Sequence, residues 1–218
     1  MAQRRNMRET IYLAVKERIV RGRYRPGQHL VESFIAEDLE TSKTPVREAL
    51  ARLEQEGLVE SFPYRGYFVR VFTRDDLDEI YELRELYEGA CARICAEATD
   101  HQVIADQLVG FNRHAEEAFN DMRLSDVHDN FARFDEIIFS RTKNQRLRNH
   151  IASITELVLL GGAITNRIPG RVEESLRQHE GIIAAIAAGD GDLAETVMRE
   201  HVRSLREEQA AERAVWPM

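Results

Sequence analysis

The 218-residue chain is 43% hydrophobic and 31% charged, with a formal net charge of −8, a balance that can bury one large or two modest cores and that excludes a disordered chain. Its two cysteines, Cys91 and Cys95, stand four apart in a helical pattern, which excludes the disulfide framework of a small secreted domain and reads as two small core residues. The N-terminus is charged and no run approaches the roughly eighteen apolar residues a bilayer requires, so the expectation is a cytoplasmic protein without a membrane partner.

In chain order, residues 7–22 read as a helix that offers Ile11, Leu13, Ala14, Val15, Ile19 and Val20 for packing and closes at Gly22. A turn at Pro26 and Gly27 follows, in a segment crowded with Arg21, Arg23 and Arg25, and leads into a short edge strand. Residues 31–41, VESFIAEDLET, predict a short helix with Phe34, Ile35 and Leu39 inward. The next helix is the most sharply defined. Thr44 is an expected N-cap, Pro45 suits the first helical position, and Val46, Ala49, Leu50 and Leu53 form one apolar stripe that ends at Gly57. Lys43, Thr44 and Arg47 are left outward at its N-terminal end, with small Ala51 one turn on. Such groups at a helix N-terminus suit phosphates and guanine edges.

Residues 58–62 and 67–71 are two β-rich runs joined by Pro63, Tyr64, Arg65 and Gly66, a hairpin with a basic tip. A helix, a second helix, a recognition helix and then a wing is the order of a winged helix-turn-helix, in which the third helix enters the major groove of double-stranded DNA. Charge is distributed accordingly. Residues 1–74 hold fourteen Lys or Arg against ten Asp or Glu, and residues 75–218 hold sixteen against twenty-eight, so the basic part is the part with the wing.

Thr73, Asp75 and Asp76 read as the start of a new helix, which places a domain boundary there: a winged helix-turn-helix over 1–72 and an all-α domain over 73–218. The first helix of that second domain offers Leu77, Ile80, Leu83, Leu86, Tyr87, Ala90, Cys91, Ile94 and Cys95 on one broad face. Comparable patterns occupy about 101–122, 125–141, 144–166, 171–188 and 190–212, with Gly161 and Gly162 as a candidate kink. The expected fold is therefore mainly α, a helical bundle behind a DNA-binding head.

These blocks also carry a resemblance. IVRGRYRPGQHL, KTPVREALARLEQEGLV and RGYFV resemble the DNA-binding domain of the GntR family of bacterial transcriptional regulators. The resemblance implies DNA contacts by Lys43, Thr44, Arg47 and Gly66, to which the basic tip adds Arg65, while Ser33 stands where the family often has Arg. YELRELYEGACARICAE, TKNQRL and QHEGIIAAIAAGDGDLAETVMREHV resemble the FCD-type ligand-binding domain of the FadR subfamily. That resemblance implies a divalent metal on an Asp, a later His and two further His. Here the set falls on Phe131, Asp135, His179 and His201, so one ligand position is apolar and another has changed type. It also places Arg84 near an effector cavity, where it would clamp a carboxylate, against the alternative of an i, i+4 pair with Glu88.

Spacing brings the two histidines together independently. Gly189 and Asp190 form a turn with Asp190 as N-cap, and His179 and His201 each lie about 15 to 17 Å from it along their helices. With Asp135 they would suit zinc or another first-row divalent metal such as nickel. His114, His128 and His150 have no such pairing and read as surface or hydrogen-bonded residues. No nucleophile with a partnered base, phosphate loop or HExxH motif is present, so an enzyme is not expected. The expectation is a regulator that binds a palindromic operator as a homodimer and answers to a small organic acid. A DNA-binding module without an effector is the alternative.

Overall fold

In a computed structural model, the structure describes residues 2–151, 154 and 168–211. The chain divides between Thr73 and Arg74 into two compact units, and each follows from its own sequence.

The first unit comprises α1 (Ala2–Val20), β1 (His29–Leu30), α2 (Glu32–Asp38), α3 (Lys43–Gln55), β2 (Val59–Phe62) and β3 (Gly66–Val69). Its core is set by the helical period. Ile11, Val15 and Ile19 of α1 and Val46, Ala49, Leu50 and Leu53 of α3 are buried, and the two helices pack on each other. Tyr12 clamps the pair. Its hydroxyl donates to the Glu56 carboxylate at 2.7 Å, and the Arg52 guanidinium lies 3.5 Å from the centre of its ring.

At the far end of α3, Gly57 takes φ +77, its N–H donates to the Glu54 carbonyl, and the Leu58 N–H donates to the Leu53 carbonyl. This paired capping satisfies the last carbonyls and reverses the chain into the wing. The sheet order is β1-β3-β2, all antiparallel, with Val59 opposite Val69 and Phe62 opposite Gly66. The Arg25–Gln28 turn, with Pro26 second and Gly27 at φ +76, ties β1 to this sheet through the Gly27 N–H and the Val69 carbonyl.

Three expectations are corrected here. The recognition helix starts at Lys43 with Ser42 before it, not at Pro45 behind a Thr44 cap. Pro45 is then third in the helix, where its lack of an N–H still costs nothing, because the first four helical N–H groups have no partner within the helix. Phe34 is 68% exposed and only Ile35 and Ala36 of α2 are buried, since two turns of helix can turn only a narrow face inward. Leu13 likewise lies outside the buried stripe of α1, which Tyr12 occupies instead.

The second unit is helical throughout its described part: α4 (Arg74–Ala96), α5 (His101–Asn120), α6 (Leu124–Ser140), α7 (145–151 within the described residues), α8 (Arg171–Ala187) and α9 (Gly191–Ala211). The candidate kink at Gly161 and Gly162 lies outside the described residues. Asn144 caps α7, its side-chain oxygen accepting from the Arg146 and Leu147 N–H groups. Asp190 caps α9 through the Leu193 N–H at 3.0 Å, as its position after Gly189 predicts.

Helices α4 and α9 form the tightest pair. Gly89 lets the chain of Arg199 approach so closely that a methyl group there would sit 2.9 Å from its Cγ. Arg93 pairs with Glu195 at 2.7 Å, Arg206 with Asp78 at 2.8 Å and Arg203 with Glu85 at 2.5 Å along the same seam. This seam corrects part of the expected face of α4: Tyr87, Cys91 and Cys95 are buried as expected, but Leu83 and Leu86 are exposed, while Tyr81, Arg84, Glu88 and Ala92 are buried. Apolar content alone misplaced those two leucines. Cys91 and Cys95 are buried free thiols, their pKa pushed up to about 12 chiefly by burial, which suits core residues and not redox chemistry.

Leu50 is fully buried on the inner face of the recognition helix, so Leu50→Ala is expected to destabilise the first unit by about 2 to 5 kcal/mol. Chemical denaturation followed by circular dichroism measures this, and a loss below about 1 kcal/mol would show that α3 is not packed as described.

Candidate functional site

In the first unit Lys43, Thr44 and Arg47 are all exposed on the first turns of α3, on the side opposite the buried stripe. Arg47 does not extend freely. Its Nε donates to Glu32 Oε1 at 2.9 Å and its Nη2 to Glu32 Oε2 at 2.8 Å, a bidentate pair that joins α3 to the start of α2. The hydrogen bonds from Arg47 hold the Glu32 carboxyl below its ordinary range. Sequence reading missed Glu32, because fifteen residues separate the partners and no local period links them.

The wing is shaped by backbone conformation. Tyr64 at its tip has φ +63 and projects fully, and Gly66 has φ +86. A Cβ at Gly66 would stand 3.1 Å from His29 Nε2, and His29 is held in place by stacking on Phe68 at 4.6 Å. Glycine is therefore required twice over, by dihedral and by space. Arg65 is exposed, with its guanidinium 5.8 Å from the Phe62 ring centre and 5.6 Å from that of Phe68. The sequence-predicted set Lys43, Thr44, Arg47, Arg65 and Gly66 is thus exposed and divided between one helix end and one hairpin.

In the second unit polar groups meet inside the bundle. Arg84 and Glu88 are both buried and pair at 2.6 Å, the i, i+4 arrangement, so the arginine charge is already matched. Asp135, half-buried on α6, is pushed up to about 8 by burial and then by the Glu88 carboxylate, with Arg84 opposing. Both effects favour its protonated form.

His179 and His201 face one another across α8 and α9, with ring centres 4.9 Å apart. Burial, then Arg171, pushes His179 down to about 3. Burial, then His179, Arg171 and Arg84, carries His201 well below its ordinary value. Both rings are therefore neutral. His179 Nδ1 lies 3.3 Å from Asn112 Oδ1, and His201 Nδ1 lies 2.7 Å from Gln178 Oε1. Because the Asn112 and Gln178 amide nitrogens donate elsewhere, to Leu176 and Glu174, these oxygens are acceptors and the imidazole proton is assigned to Nδ1 in each case. Each Nε2 is then a lone-pair donor, oriented by the hydrogen bond behind it.

A metal needs more than this pair. Phe131 occupies the position of the missing ligand, its ring set edge-on to His179 at 4.9 Å, and Phe134 stacks on the same imidazole at 4.1 Å. Among the described residues no group of three or more His, Cys, Asp or Glu is arranged to hold a metal ion. Of the three expected donors, the described residues bring His179 and His201 together.

Comparison with known proteins agrees with this division. Residues 7–69 match the bacterial regulatory proteins of the gntR family and residues 79–204 match the FCD domain. An HTH-type transcriptional regulator from an unstable DNA locus of Streptomyces ambofaciens is 30% identical, over 92% of this chain and 84% of its own. The HTH-type transcriptional repressor RspR of Escherichia coli is 26% identical, over 91% and 87%. A solved GntR-type structure from Rhodococcus sp. RHA1 shares the fold, with a TM-score of 0.79 at 23% identity over 95% of this chain and all of the other. Among the described residues no helix is long and apolar enough to cross a membrane.

Asp135 prefers its protonated form when folded, so its contribution to stability is full below the unfolded pKa near 4 and is lost as pH rises through about 8. Asp135→Asn, which keeps the shape without the proton, is expected to be neutral at pH 4 and increasingly stabilising, by about 1 to 3 kcal/mol, towards pH 8. Thermal unfolding at both pH values checks this, and an asparagine variant less stable than the parent at pH 8 would mean that the carboxylate is held by a cation. The chain belongs to the GntR family of bacterial transcriptional regulators, with an FCD domain as its second unit, and is a DNA-binding protein rather than an enzyme.

Proposed function

We propose that this regulator binds a palindromic operator as a homodimer, placing the N-terminal turns of α3 in the major groove and the Arg65–Gly66 wing on the adjacent backbone or minor groove. The observation that carries the reading is the exposed cluster Lys43, Thr44 and Arg47 at the end of a helix whose opposite face is fully buried. One helix-turn-helix per chain offers few base contacts, which favours two copies on two half-sites. The protein then works where bacterial DNA lies, in the cytoplasm.

The effector in this reading is a small organic acid that enters the polar interior of the bundle. A carboxylate there would compete with Glu88 for Arg84 and accept a hydrogen bond from the protonated Asp135, and its differential affinity for two arrangements of the bundle would change operator affinity. The two Nε2 lone pairs of His179 and His201 are the part of the site open to zinc or nickel, a weak ligand set that no step of the reading requires.

Arg47→Ala is expected to lower operator affinity by about 1 to 3 kcal/mol and to leave fold and oligomeric state intact. Mobility shifts on a duplex selected from a random pool measure the loss, footprinting shows whether the site is a palindrome, and sedimentation gives the stoichiometry. Unchanged affinity would remove α3 from the interface, and a protein that stays monomeric on DNA would remove the dimer.

Zinc in equilibrium dialysis is expected to bind weakly and to be lost in His179→Ala and His201→Ala. A full equivalent retained through gel filtration would show a third donor. Thermal shift with small mono- and dicarboxylic acids tests the effector, and a protein that binds operator yet answers to none of them would leave a DNA-binding module without an acid effector.

A further inference from the structure

Arginine reads guanine with two parallel N–H groups, and the guanidinium has two edges able to offer them. In this protein one edge is already taken. The Nε and Nη2 atoms of Arg47 donate to the two oxygens of Glu32, at 2.9 and 2.8 Å, which leaves one Nη1 hydrogen and the second Nη2 hydrogen along the adjacent edge. The exposures of the partners differ in the sense this requires: the Arg47 side chain is 67% exposed, and that of Glu32, at the first turn of α2, is 23% exposed. The carboxylate is tucked in and the guanidinium is presented. The groups around the pair are Lys43 on α3, which also bears on Glu32, and Tyr67 on β3, which bears on both partners.

A carboxylate at the DNA-facing end of a recognition helix has a cost, because it repels every phosphate it approaches whatever the sequence. Its benefit is restricted to a duplex that meets the fixed edge. A long flexible side chain held in one plane loses less freedom when it closes a two-point contact, and it cannot swing to a phosphate when the expected base is absent.

We propose that Glu32 is a positioning residue that sets operator specificity, holding Arg47 by one edge so that the Nη1–Nη2 edge meets the O6 and N7 of one guanine. This rests on the reading of α3 as the recognition helix and adds to it a residue of α2 that weakens binding to DNA in general while sharpening the choice of sequence.

The experiment uses the full chain, an operator duplex selected by the protein from a random pool, and the same duplex with each guanine pair replaced in turn. Operator binding and binding to an unrelated duplex are measured at two salt concentrations. The parent is expected to discriminate against replacement of one particular guanine by about 5- to 150-fold, the span of a bidentate contact. Glu32→Ala is expected to erase most of that ratio while raising affinity for unrelated DNA, and Glu32→Gln, which preserves shape and one acceptor, to fall between. In an Arg47→Ala background neither change should alter the ratio further.

Equal gains on all duplexes with the guanine ratio intact would mean that Glu32 only repels the backbone and would overturn the proposal. An unchanged ratio with unchanged affinity would overturn it as well. If Glu32→Ala fails to fold, the glutamine variant decides by the same two criteria. Arg47→Ala separates the levels: operator binding unaffected by that change would overturn the recognition-helix reading and this inference together, whereas operator binding lost there but indifferent to Glu32 would overturn this inference alone.

Discussion

The rotation of α3 about its own axis is the constraint on which the first unit depends. Val46, Leu50 and Leu53 are completely buried and Ala49 nearly so, and a helix with about 100° between residues has no freedom left once such a stripe is seated. Lys43, Thr44 and Arg47 face outward because of what those four residues bury. The Tyr12–Glu56–Arg52 cluster then fixes the far end of the helix, and the reversal at Gly57 hands the chain to β2, whose Val59 enters the same core. Recognition helix and wing are thus positioned by one packing decision. The polar groups that would touch DNA contribute little to it.

Much of this was legible in the sequence because its signals are local. Pro26–Gly27, the stripe that ends at Gly57, and the hairpin around Tyr64–Gly66 each fix a conformation within a few residues, and the structure realises each of them. The failures share a different cause. Phe34, Leu83 and Leu86 were placed inward because they are apolar, yet they are exposed while Arg84 and Glu88 are buried. What decides the face of α4 is its neighbour α9: a row of arginines there meets Asp78, Glu85 and Glu82, and Gly89 admits the stem of Arg199. That information lies more than a hundred residues away. The Arg47–Glu32 pair was invisible for the same reason on a smaller scale, while the approach of His179 and His201 was legible because a two-residue turn and their nearly equal distances from it along the chain reduce it to local geometry.

The interior of the bundle is polar but close to electrically neutral, and burial enforces this. An isolated charge in such a place costs more than proton loss or gain, so each group takes the cheaper route open to it. Arg84 keeps its charge against Glu88. Arg171, fully buried, is held by Ser175, Ser204, Gln178 and the Glu208 carboxylate. The two histidines shed their protons and Asp135 keeps its own. The result is a set of buried donors and acceptors with little net field.

Charge outside the core divides the labour between the units. Fourteen basic against ten acidic residues in the first 74 positions is a modest excess, and sixteen against twenty-eight in the remainder is a strong deficit. Pairing leaves that net deficit unchanged but takes up the cations, because arginines of the second unit such as Arg93, Arg199, Arg203 and Arg206 are engaged with acidic side chains of their own unit. Engaged cations have little left for phosphates, and unmatched carboxylates repel them. In the first unit the bidentate pairing of Arg47 with Glu32 leaves one edge of its guanidinium open. An acidic protein can therefore bind DNA, provided that one small surface collects its uncommitted donors and the rest of the molecule spends its cations on itself.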